Sequence, residues 1–169
     1  VPFGKLSPLY KSLVKVGQEE ASNIVSFCYA GLVKAGGIRN NILRESGKDA
    51  RVNALTQFNE EKQDIFFESL EKGLLEKIRQ DTNTREKLLE SGDSVIVYES
   101  DDKDLGSIKG EGKNKVGTIL MKLRKIVARE IDEKREKRLQ YIGNNISYMI
   151  YTAYKELENR IKNGIDDLS

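Results

Sequence analysis

The residues in this chain with the most chemical potential lie close together, between positions 99 and 117. Glu99, Asp101, Asp102 and Asp104 form an acidic cluster, and Gly106, Gly110, Gly112 and Gly117 follow it in a loop that also carries Lys109, Lys113, Asn114 and Lys115. Carboxylates can stabilise a developing positive charge or activate water, while glycines let backbone approach a ligand closely. The loop feeds an apolar segment starting near Val116, and the unpaired N–H groups at a helix start favour phosphate. Ser91, Gly92 and Asp93 form a turn, and the β-branched and aromatic run at 94–99 predicts a short strand entering the loop.

Composition narrows the chemistry further. The 169 residues include no histidine and no tryptophan, so Ser-His-Asp and Cys-His mechanisms and the usual zinc sites are excluded. An enzyme built from this chain has carboxylates, Lys, Tyr or Ser to work with. No metal or cofactor is expected, because an EF-hand fails at its terminal glutamate and no Walker or dinucleotide fingerprint is present. The single cysteine, Cys28, forms no intrachain disulfide and suits a reducing compartment. A net charge of +2, from 29 basic and 27 acidic residues, provides no strong field for nucleic acid or anionic membrane. With no transmembrane-length apolar run and no signal pattern, a cytoplasmic location without membrane association is expected.

Apolar periodicity supplies the supporting elements. Residues 1–18 read as a turn and a strand closed by Gly17, and 19–34 as a buried helix starting near Ser22 or Asn23. Residues 38–45 form a short amphipathic helix. In 59–80, Ile65, Phe66, Leu70, Leu74, Leu75 and Ile78 mark a longer helix whose aromatics are core rather than a stacking platform.

The ordered motifs around the loop resemble the NADAR family, the YbiA-like N-glycosidases acting on ADP-ribose-like and riboflavin-pathway nucleotides. They are Leu88-Leu89, Gly92-Asp93, Glu99-Ser100, Asp102 with Leu105-Gly106, the segment Gly112-Lys113-Asn114-Lys115-Val116-Gly117, and Leu120-Met121. The resemblance extends weakly to Phe3, Leu6, Ser7 and Tyr10 and covers residues 3–126. It implies an α+β domain at 1–127, mainly helical with a small β-sheet; the helical extension at 128–169 lies outside the resemblance. It also implies an N-glycoside hydrolase for an ADP-ribose-type or related phosphorylated nucleoside. Asp102 would be the carboxylate at the anomeric carbon, because an oxocarbenium-like state needs one, and Lys34 would engage the sugar. Arg39, Glu99, Ser100, Asp104, Gly112 and Asn114 would hold the ligand, Arg39 through its bidentate fork. Four family features are replaced. Pro8 stands for an asparagine, Ile24 and Val25 for a Glu-His pair, and Leu105 for a tryptophan. The alternative is therefore a degenerate relative that binds a nucleotide or a protein partner without catalysis.

Beyond 127 the sequence is first densely charged and then carries an apolar stripe: Leu139, Ile142, Ile146, Met149, Ile150, Ala153, Leu157 and Ile161, with Tyr141, Tyr148, Tyr151 and Tyr154 beside it. Such a stripe must be covered, by the domain, by a protein partner or by a homo-oligomer contact through 139–161. A heptad match of about three repeats argues against a long coiled coil.

Overall fold

A computed structural model describes residue 7 and residues 12–34, 36–54 and 62–166. Phe3, Leu6, Pro8 and Tyr10, in the opening segment of the resemblance, lie outside the described residues. The chain divides into two compact units, Val1–Val127 and Ala128–Ser169. The first is an α+β domain whose one sheet among the described residues is the antiparallel hairpin of β1 (Val14–Val16) and β2 (Glu19–Ala21), with Val14 opposite Ala21 and Val16 opposite Glu19. Within the stretch 19–34 the helix starts at Asn23, one of the two expected positions, and the residues before it, Glu19–Ala21, are a strand. Gly17 and Gln18 make a two-residue turn, and pairing with β1 claims Glu19 to Ala21.

Helix α1 (Ile24–Gly31) starts at Asn23, whose side-chain oxygen accepts a hydrogen bond from the Ser26 amide at 2.9 Å. Its residues Ile24 to Ala30 are all buried, and it packs against α2 (Gly37–Arg44), α3 (Gly47–Ala54) and α4 (Gln63–Gln80). Phe66, Leu70, Leu74 and Ile78 recur every four residues on α4 and are buried, whereas Ile65 of the expected stripe is exposed. Helix α3 was not expected. Ser46 and Asp49 cap it, the Asp49 amide donating to Ser46 Oγ at 3.3 Å while that hydroxyl donates to Asp49 Oδ2 at 2.6 Å. Helix α5 (Thr82–Glu90) was likewise unforeseen, although Asp81 is an N-cap residue accepting from the Asn83 and Thr84 amides.

Residues 94–99 are extended but pair with no strand among the described residues. Burial still alternates, with Ile96 buried and Tyr98 half-buried between exposed Val95, Val97 and Glu99. The long helix α6 (Lys115–Asp166) contributes Val116, Leu120, Leu123 and Val127 to the core of the first unit. Arg124, also buried, donates to Ser91 Oγ at 2.7 Å and to the Ser94 carbonyl at 2.9 Å, fixing α6 to the turn before the extended segment.

In the second unit α6 runs on as a single helix with i,i+4 ion pairs on its surface, among them Arg129 with Glu133 and Arg160 with Glu156. Its apolar stripe is exposed. No helix among the described residues is long and apolar enough to cross a membrane.

Candidate functional site

The acidic loop folds on itself through short local hydrogen bonds. Asp102 Oδ1 accepts from the Asp104 amide at 3.0 Å and the Leu105 amide at 3.2 Å, and the Asp102 amide donates to Ser100 Oγ at 3.2 Å. This is an Asx turn preceded by a serine-closed turn. It fixes the Asp102 carboxylate by one oxygen and leaves Oδ2 without a hydrogen bond among the described residues.

Asn114 holds the loop to the extended segment. Its Oδ1 accepts from the Tyr98 amide and its Nδ2 donates to the Ile96 carbonyl, both at 2.9 Å. The side-chain amide thus stands in for a peptide group of a neighbouring strand and, together with the Ser107 amide that donates to the Tyr98 carbonyl at 2.9 Å, holds residues 94–99 in place. Asn114 does so at φ +47, a left-handed backbone that asparagine tolerates better than most residues. Gly112, at φ +123, brings its backbone against the Gly106 carbonyl, where a Cβ would collide. Both residues, expected to hold a ligand, hold the loop.

Loop and helices enclose a small cavity of about 150 Å³ lined by Tyr29 of α1, Arg51 of α3, Gln63, Phe66 and Phe67 of α4, and Asp102, Asp104 and Leu105 of the loop. Its aromatic wall is ordered: Tyr29 and Phe66 have ring centroids 5.1 Å apart, and Phe67 meets Phe66 edge-on at 5.7 Å. Lys115 Nζ sits 4.7 Å from the Phe67 ring centre. Burial raises the Tyr29 phenol above its ordinary value; the nearby Arg51 guanidinium opposes that shift and the Asp102 carboxylate reinforces it. Asp104 is bound to Lys113 Nζ at 2.7 Å, and that contact raises the lysine pKa. Phe66 is buried in the core, as expected, and its ring also lines the cavity. The volume, below the several hundred Å³ of a site for a whole nucleotide, suits one ring of a ligand.

Of the residues singled out from the sequence, Asp102 and Asp104 meet at this cavity. Lys34 does not join them: it is exposed in a separate depression with Leu32, Val33, Gly36, Gly37, Ile38 and Lys62. Arg39 is already engaged. Its Nε and Nη2 donate to the Glu19 carboxylate, each at 2.8 Å, and its Nη1 donates to the Ala30 and Val33 carbonyls at the end of α1. The same contact lowers the Glu19 pKa. Arg39 therefore ties the hairpin to α1 rather than waiting for a phosphate. Glu99 is exposed, and Ser100 opens onto another depression with Asp101, Lys103, Ile108, Lys109 and Glu111. Ile24 and Val25, at the positions of the family's Glu-His pair, are 0% and 6% exposed in the core.

Sequence reasoning missed Tyr29, Arg51, Gln63 and Phe67. The signal for Arg51 was the Ser46-Asp49 capping pattern, which marks the helix presenting it. A wider groove of about 500 Å³, lined by Leu13, Gln18, Glu19, Glu20, Ser22, Asn40, Leu43 and Arg44, has no aromatic wall, and its Glu19 is held by Arg39. Among the described residues no group of three His, Cys, Asp or Glu side chains could hold a metal ion.

No protein-family model matches the chain. It is 25% identical over 143 residues to the uncharacterised protein 113L of Invertebrate iridescent virus 3, a match spanning 84% of this chain and 18% of that protein's length. The NMR structure of the E. coli protein YbiA aligns over 79% of this chain and 83% of its own, with a TM-score of 0.70 and 23% identity. The chain thus has a YbiA-like α+β fold.

Proposed function

We propose that the Asp102 cavity is the ligand site of an N-glycoside hydrolase acting on an ADP-ribose-type or related phosphorylated nucleoside. The observation that carries this reading is the convergence of two carboxylates, Asp102 and the Lys113-paired Asp104, one guanidinium and an aromatic wall on a cavity the size of a single ring. A ribose enters with its anomeric carbon toward Asp102 Oδ2. As the C1′–N bond breaks, the sugar becomes oxocarbenium-like, and the carboxylate stabilises that charge or takes a proton from the incoming water. Water adds its oxygen to C1′, the C1′–N bonding pair stays on the base nitrogen, and the proton lost by the water passes through Asp102 to the departing base or to solvent. Arg51 meets a phosphate, and Tyr29, a neutral phenol, offers a hydroxyl to the base or sugar. The buried lone thiol, Cys28, fits a reducing, cytoplasmic setting.

A second reading is favoured by Ile24 and Val25. Because both pack in the core, α1 brings no carboxylate to the cavity, and the site then binds its ligand without cleaving it. Calorimetric titration of the purified chain with ADP-ribose, with chromatography for base released from NAD or ADP-ribosylated guanosine, separates the two. Binding and release, with release lost in Asp102→Ala, support the hydrolase. Binding without release supports the second reading, and no binding overturns both.

A further inference from the structure

The apolar stripe on the second unit has a spacing that selects its partner. Leu139, Ile150 and Ile161 are eleven residues apart in sequence, as are Ile131 and Ile142, Ile142 and Ala153, and Ile146 and Leu157. An eleven-residue repeat gives 3.67 residues per turn, a seam that winds in the right-handed sense rather than following the left-handed seven-residue coiled-coil path. A heptad-patterned partner would drift off this seam, whereas an identical helix keeps step with it along its whole length. The stripe residues Ile131, Leu139, Ile142, Ile146, Ile150, Leu157 and Ile161 are all between 39% and 65% exposed.

The stripe also reads the same in both directions. Counted outward from Ile146, its positions fall four, seven, eleven and fifteen residues away on each side: Ile142 and Ile150, Leu139 and Ala153, Arg135 and Leu157, Ile131 and Ile161. Two copies laid antiparallel about a two-fold axis at Ile146 therefore match layer for layer, with the large Leu139 beside the small Ala153. A parallel pair would set Arg135 against Arg135 within the seam; the antiparallel pair places each beside Leu157 and keeps the two guanidinium groups about 30 Å apart at 1.5 Å per residue.

Composition and area agree with this. Residues 139–154 contain no charged side chain and carry four tyrosines and a methionine, the charge-poor, aromatic-rich make-up of an interface core. From Ile131 to Ile161 the seam is about 45 Å long, so one face of a helix about 10–12 Å wide offers on the order of 500 Å². A pair then buries about 1,000 Å², the lower bound for a specific interface.

We infer that residues 131–161 form an antiparallel helix pair with a second copy of this chain, centred on Ile146. The test uses the full chain. Sedimentation equilibrium at tens of micromolar should give twice the 19.2 kDa mass of one chain, and Ile146→Lys should return it to one. Because that variant could also lose helix, single cysteines provide the second readout. Cys28 is fully buried and does not interfere. Under mild oxidation Ile146→Cys should give a disulfide-linked dimer and Leu139→Cys should not, since two copies of position 139 lie about 20 Å apart along an antiparallel pair. A monomer at these concentrations, whether or not it binds lipid vesicles, overturns the inference. So does crosslinking of both variants, which would mean a parallel pair, or of neither.

Discussion

The side-chain amide of Asn114 occupies the space that a side chain at Gly117 would need. A Cβ at position 117 would press on both terminal atoms of that amide and collide with the Ile96 carbonyl oxygen, which the amide binds. The two residues therefore form one device for holding the extended segment 94–99 beside the start of α6. Gly117→Ala should destabilise the domain by about 2–4 kcal/mol through overpacking and loss of the amide's hydrogen bonds. Asn114→Ala should cost about 2–3 kcal/mol because the Tyr98 amide and Ile96 carbonyl lose their partner. Since both act on the same contact, the double variant should lose clearly less than the sum; chemical denaturation of the four proteins measures it.

Asp102 has a structural and a proposed chemical role, and one substitution separates them. In Asp102→Asn the side-chain oxygen still accepts from the Asp104 and Leu105 amides, so stability should change by less than about 1 kcal/mol. Charge at the anomeric carbon is lost, and base release should fall by at least about a hundredfold while ADP-ribose binding persists. Asp102→Ala should lose both stability and turnover, as melting curves run beside the chromatographic assay would show.

Arg39 provides a contrasting case. Arg39→Ala removes a bidentate pair with Glu19 and the caps on the Ala30 and Val33 carbonyls, and should cost about 1–3 kcal/mol of stability. ADP-ribose affinity should remain as in the unmodified chain, whereas Arg51→Ala should weaken it with little change in melting temperature. A fall in affinity for Arg39→Ala would return that arginine to the site.

Lys77 makes stability depend on alkaline pH. It is 4% exposed, and burial pushes its pKa from the ordinary 10.5 down to about 8, opposed by the nearby Asp81 carboxylate. Between these values the folded chain has released a proton that the unfolded chain still holds. Stability should therefore rise as pH increases from about 8 to 10.5, by on the order of 2–3 kcal/mol from this group. Other groups titrate in the same window, so the measurable quantity is the difference from Lys77→Met, which should lack this rise in denaturation experiments at pH 7.5 and pH 10.

Taken by itself, the sequence was enough for those features that depend on neighbours along the chain. The four-residue spacing of Phe66, Leu70, Leu74 and Ile78 marks α4 because a helix must bury one face. Asn23 marks the start of α1 because its side chain caps the nearest amides. The motif from Gly112 to Gly117 marks the loop that Asn114 holds, and the eleven-residue stripe is likewise a property of one helix.

Tertiary structure decided whatever depends on which distant groups meet. Arg39 and Arg51 are both arginines on short amphipathic helices, yet Glu19 lies within reach of one and a cavity beside the other. Residues 94–99 have strand composition, but a strand needs a neighbour, and what is brought to them is the side-chain amide of Asn114 and a single backbone amide, that of Ser107, which donates to the Tyr98 carbonyl at 2.9 Å. Asp102 meets Tyr29, Phe66 and Phe67 only because α1, α4 and the loop converge, a juxtaposition across more than seventy residues of chain that local periodicity does not encode.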